Sequence, residues 1–64
     1  MRMTIELATR IYNEAMDTEY EAILIGPKGE VTSLDFGCTI PGFTFCGMAD
    51  ELARLSPSVI AAKY

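Results

Sequence analysis

The side chains in this chain that could do chemistry are two thiols, Cys38 and Cys46, and nine carboxylates set against five cations; there is no histidine. Metal sites and catalytic dyads that depend on imidazole are therefore out of reach. Each thiol sits among phenylalanines and threonines, with no base or cation beside it to lower its pKa, so both read as packing residues rather than nucleophiles. One disulfide is allowed but not demanded, because small secreted domains are usually denser in cysteine, and reduced thiols are the expectation. The chain reads as a non-enzyme with no cofactor and no metal.

That leaves the carboxylates. In the hairpin register derived below, Glu21 lies directly across from Asp35, and like charges in that position destabilise a sheet. Asp17 and Glu19 lie close in sequence, as does Glu14, so an acidic patch that receives Lys or Arg from a partner protein is expected here. A hard-cation site would need the ligand spacing of a calcium loop, which the chain lacks. The same strand face carries Ile23, Ile25 and Val31, and apolar side chains beside acids mark protein interfaces more often than active sites. The partner-binding residues are thus read as Asp17, Glu19, Glu21, Asp35, Ile23, Ile25 and Val31. Two alternatives stand beside this reading: a solvated acidic face, and cover of the three apolar residues by the first helix.

The elements that must position these residues are legible from periodicity. Residues 4–17 place Leu7, Ala8, Ile11, Tyr12, Ala15 and Met16 on one helical face and polar residues on the other, with Thr4 as N-cap and Glu6 in the first turn. Alternation over Met1, Met3, Ile5 and Leu7 would suit a strand, but it fails at Ala8 and Thr9. Two apolar-rich runs, Tyr20 to Ile25 and Glu30 to Phe36, flank Gly26-Pro27-Lys28-Gly29 and predict a β-hairpin. Pro27 excludes the primed turns, so Gly29 serves as the left-handed residue of a bulge after a type I turn. A three-residue loop sets Gly26 against Glu30, Leu24 against Thr32, Ala22 against Leu34 and Tyr20 against Phe36.

Pro41-Gly42 predicts a second turn into a third strand, Phe43 to Cys46, with Thr39 opposite Thr44 and Cys38 opposite Phe45. Met48 to Leu55 suits a short helix, and Ser56-Pro57 restarts the chain for a last one through Tyr64. The expected fold is a single α+β domain over residues 1–64: an N-terminal helix, a three-stranded antiparallel β-meander and one or two short C-terminal helices. Its core is expected to join Tyr20, Leu24, Leu34, Phe36, Ile40, Phe43 and Phe45 to Leu7, Ile11, Leu52 and Leu55.

The glycine spacing of Ile25-Gly26-Pro27-Lys28-Gly29 resembles the backbone-clamping loop of the KH family of RNA-binding domains, although Thr32 stands where that family has an apolar residue. Residues Ala49 to Lys63 loosely resemble the helix-turn-helix of DNA-binding repressors, with Arg54 at the usual turn glycine and Asp50 at the usual small residue. Either resemblance implies a small nucleic-acid-binding or transcription-regulatory module. A net charge of −4 argues against direct phosphate binding. It favours a protein partner with a basic surface, including one that itself binds nucleic acid.

Sixty-four residues bury only roughly 60% of their unfolded surface, so a homodimer is one way to complete a thin core. With no apolar run long enough to span a bilayer and no signal-peptide pattern, a cytoplasmic protein with no membrane partner is expected. In size and acidity the chain is similar to small phage-encoded inhibitors of host defence, anti-CRISPR proteins among them. That likeness implies an inhibitor that occupies a nucleic-acid-binding surface.

Overall fold

A computed structural model describes residues 3–18 and 21–64. Its elements run α1 (Ile5–Asp17), β1 (Glu21–Ile25), β2 (Val31–Asp35), β3 (Thr44–Met48), α2 (Ala49–Leu52) and α3 (Pro57–Lys63), an α+β fold with one three-stranded antiparallel sheet. Glu19 and Tyr20, named above for the partner surface and the core, lie outside the described residues.

Helix α1 forms where its periodicity places it. The Thr4 hydroxyl accepts the Leu7 N–H at 3.1 Å, and Leu7, Ala8, Ile11 and Ala15 are buried along one stripe. Met16, expected on that stripe, is instead 57% exposed, because it lies at the margin of the buried arc.

The hairpin has the expected register: Glu21 pairs with Asp35, Ala22 with Leu34, Leu24 with Thr32 and Ile25 with Val31. The turn follows the same chemistry. Gly29 N–H donates to the Gly26 carbonyl at 3.1 Å, Gly26 N–H donates to the Glu30 carbonyl at 2.7 Å, and Gly29 holds φ +83°.

The third strand departs from the meander. The sheet order is β2-β1-β3, so β3 pairs with the free edge of β1 and not with the arm after β2. The reason lies in β1, where Ala22, Ile23, Leu24 and Ile25 are all buried. A strand enclosed on both faces needs backbone partners on both edges, since water cannot satisfy its N–H and C=O groups. Cys38 to Ile40 accordingly belong to no strand. Gly37 at φ +97° and Gly42 at φ +86° bend the connection, while Cys38 N–H bonds the Asp35 carbonyl and Phe43 N–H the Ile40 carbonyl.

Both β2 and β3 run antiparallel to β1 and so parallel to each other, and residues 36–43 must cross the sheet to join them. Eight residues reach roughly 26 Å when extended, enough for a diagonal of roughly 20 Å across such a sheet. Register slips between Ile23 and Leu24, leaving Cys46 as the extra residue of a bulge on β3.

The sheet also presents its other face to the helices. Ile23 and Ile25 join Leu7, Ala8, Ile11, Ala15, Ala49, Leu52 and Ile60 in the core, with Val31 packed at its margin. Leu24 is buried on the opposite face, but Phe36 is 72% and Phe45 53% exposed, so the expected core face is the outer one. Ile23 and Ile25 on β1, with Val31 across from Ile25, give a β-branched face, and the helices pack on it. Gly47, opposite Ile23, lies against Leu52, whose methyl stands at ordinary van der Waals distance, 3.4 Å, from where a Cβ would be.

After β3 the chain turns directly into α2, so Met48 is a strand residue and the expected Met48 to Leu55 helix shortens to Ala49–Leu52. Ser56 caps α3 as expected, its hydroxyl accepting Val59 N–H at 3.3 Å, with Pro57 in the first turn.

Ile23→Ala should cost about 2–5 kcal/mol of unfolding free energy, whereas Phe36→Ser should change it by no more than about 0.5 kcal/mol. Urea unfolding of the two variants at low protein concentration checks this assignment of faces. Gly29→Ala should cost about 1–2 kcal/mol by forcing a side chain into the left-handed region, and the same measurement reads it.

Candidate partner-binding surface

The polar face of α1 supplies one wall of an open groove and the hairpin the other. Arg10, Asn13, Glu14 and Asp17 recur at helical spacing and face Glu30 and Val31 across a cavity of about 430 Å³. Glu14 fixes the wall: its Oε2 accepts the Ser33 hydroxyl at 2.8 Å, tying α1 to β2. Arg10 reaches the hairpin turn, where its guanidinium would lie 3.7 Å from a Cβ at Gly29.

Beyond Glu14 the chain carries Asp17, exposed in the last turn of α1, then Glu21, half-buried at the start of β1, paired with exposed Asp35. Three residues separate Asp17 from Glu21, so the two α-carbons lie within about 15 Å by chain length alone. Two placements here oppose local stability. Asp17 sits at the negative end of the α1 dipole, whose last turn has no basic residue. Glu21 and Asp35 are like charges directly opposed. Local rules broken together at one corner are the usual mark of a working surface.

The expected apolar half of that surface is not available. Ile23 is fully buried and Ile25 is 9% exposed, both beneath the helices, because the sheet faces them with this side. Val31 is half-buried and retains a place on the groove wall. Asp17, Glu21 and Asp35 remain at the surface in whole or in part.

Arg10, Asn13 and Glu30 were not assigned to the surface from sequence. The first two belong to the polar helical row that also holds Glu14 and Asp17, and that row was the available signal. Glu30 could be placed only once α1 was known to lie along β2.

The loop that resembles a KH clamp is a plain turn. Glu30 Oε1 accepts the Lys28 N–H at 2.7 Å, placing a carboxylate where a phosphate would need the donor. The helix-turn-helix likeness meets an α2 of four residues, too short to brace a recognition helix. Among the described residues no group of three or more His, Cys, Asp or Glu is arranged to hold a metal ion. Nor is any helix of theirs long and apolar enough to cross a membrane.

Both cysteines are free; Cys38 is exposed, whereas burial pushes the Cys46 thiol up from its ordinary value. Cys38 lies with Ala22, Leu24, Phe36, Gly37, Thr39 and Phe45 around an uncharged cleft of about 190 Å³. Comparison with protein-family models, curated proteins and solved structures yields no match to this chain.

A raised thiol pKa means the folded state holds its proton more tightly than the unfolded one. The stability from neutral Cys46 is thus complete below the ordinary thiol pKa and is lost as pH rises through the raised value. The difference in melting temperature between wild type and Cys46→Ser should therefore hold constant through neutral pH and shift against wild type only on the alkaline side. At pH 8 a thiol reagent should modify Cys38 well before Cys46.

Proposed function

We propose that the chain is a non-enzymatic interaction module that seats the acidic corner formed by α1 and the β1–β2 hairpin in a basic surface of a partner protein. The observation that carries this reading is the concentration of Asp17, Glu21 and Asp35 at one corner, where both the helix dipole and the strand pairing disfavour them. A partner's Lys or Arg side chains would relieve both penalties, so the charges that weaken the free protein would strengthen the complex. Glu14, Asp17 and Glu30 continue the same sign along the groove, with Arg10 as the cation at its hairpin-turn end.

A basic protein surface of this kind commonly binds nucleic acid, and an acidic corner covering it acts as a competitor. The function proposed is accordingly that of an inhibitor, of the general kind found among phage anti-defence proteins such as anti-CRISPRs. A cytoplasmic setting accords with two unpaired thiols, one of them exposed. Contact rests on Asp17, Glu21 and Asp35, with Glu19 adjoining them in sequence; Ile23 and Ile25 serve the core instead.

Replacing Asp17 and Asp35 by Lys should raise the stability of the free chain, by about 0.3–1 kcal/mol at the helix terminus, while removing the partner from affinity purifications out of the native host. Equal recovery of the same partner by wild type and the charge-reversed variant would sink the proposal. Salt-sensitive binding of the purified chain to single- or double-stranded nucleic acid would replace it with a direct binding module.

A further inference from the structure

We infer that the outer edge of β3 is a self-association edge, pairing antiparallel with β3 of a second copy about a two-fold axis to make one six-stranded sheet. β1 has partners on both sides, so β2 and β3 are the two sheet edges. Among the described residues no backbone hydrogen bond reaches β3 from its outer side.

The two edges differ in chemistry. Natural edge strands are kept from pairing by charges, proline, bulges or cover. β2 follows Glu30, ends in Asp35 and is overlooked by Glu14 through its bond to Ser33. β3 reads Thr-Phe-Cys-Gly-Met, with no charge and no proline. Thr44 and Phe45 are exposed, and the bulge at Cys46 ends the regular edge, which centres pairing on those two residues.

Around this edge lie two uncharged clefts that share Phe45. One holds Leu24, Phe36 and Cys38; the other, of about 250 Å³, holds Met3, Ile25, Thr44, Cys46 and Tyr64. Stable dimers bury roughly 800 Å² per partner, near a fifth of this chain's 4200 Å². A bare strand edge falls short of that, so its aromatic flank must be buried with it. Phe45 at 53% and Tyr64 at 42% exposure supply that flank, and the two-fold brings Phe45 beside its own copy.

Charge identifies the occupant as a second copy rather than a basic partner. No acid lines either cleft and Lys63 Nζ lies 5.8 Å from the Tyr64 ring centroid, so a basic surface would find no counter-ion there. Two copies of a chain with net charge −4 must also avoid each other's acids. Joined at β3, their β2 edges stand five strand spacings apart, about 24 Å, beyond the screening length of about 8–10 Å in physiological salt. The acidic corners are left outward and free.

The test is sedimentation of the full chain in reducing buffer from about 1 μM to about 1 mM, the range in which small interfaces dissociate. The mass should rise from 7.0 kDa toward twice that value. Phe45→Glu should weaken association at least ~100-fold by setting like charges across the axis, and Met16→Gln, a neutral change at an exposed residue of α1, should leave it unchanged. Amide exchange of the wild-type chain at both ends of the range needs no variant to fold, and protection should grow with concentration at Phe45, whose N–H faces away from β1, the Thr44 N–H being turned toward Ile25. A mass that stays at 7.0 kDa throughout, or protection that grows along β2 or the helices instead, overturns the inference.

Discussion

Everything in this fold depends on β1 being enclosed. Ala22 to Ile25 are buried on both faces, which withdraws a strand's backbone donors and acceptors from water and obliges protein to satisfy them. The hairpin satisfies one edge and β3 the other. Placing β3 there forces residues 36–43 across the face opposite the helices, and that crossing closes over Ala22 and Leu24. Sheet order, crossover and helix face follow from one strand's burial.

The hairpin from Glu21 to Asp35 was legible in the sequence because its determinants are local. Pro27 sets φ, Gly29 accepts the left-handed position, and alternation on the two arms admits one register. The caps at Thr4 and Ser56 were legible for the same reason. The placement of β3 was not, because Pro41-Gly42 is an equally good turn for a hairpin and for a crossover, and only competition for the free edge of β1 separates them. A signal was present: four apolar residues in unbroken succession from Ala22 to Ile25 suit a central strand better than an edge. The choice of face failed on the aromatics. Phe36, Phe43 and Phe45 suggested a core by their size, but a sheet with apolar residues on both sides leaves that choice to the fit of the helices.

The candidate surface was legible in part and for a definite reason. Its charged members depend on the hairpin register, which local chemistry decides, so Glu21 opposite Asp35 could be deduced. Its apolar members depend on which face the helices cover, which is a tertiary matter. Ile23 and Ile25 therefore moved from surface to core while Asp17 and Asp35 stayed outside. Glu30 and Arg10 joined only when the direction of α1 along β2 was known.

What distinguishes this sheet is the segregation of its two edges. Charge accumulates along β2 and the C-terminal half of α1, and it is absent along β3. In a small domain whose core alone gives little margin, unfavourable charge placements at one corner draw on stability that must come from elsewhere. Backbone pairing at an uncharged edge is a source that leaves the acidic corner untouched, because screening separates the two across the width of the sheet. On the proposed reading the same segregation keeps the acidic corner from repelling its own copy, so strengthening one edge need not weaken the other.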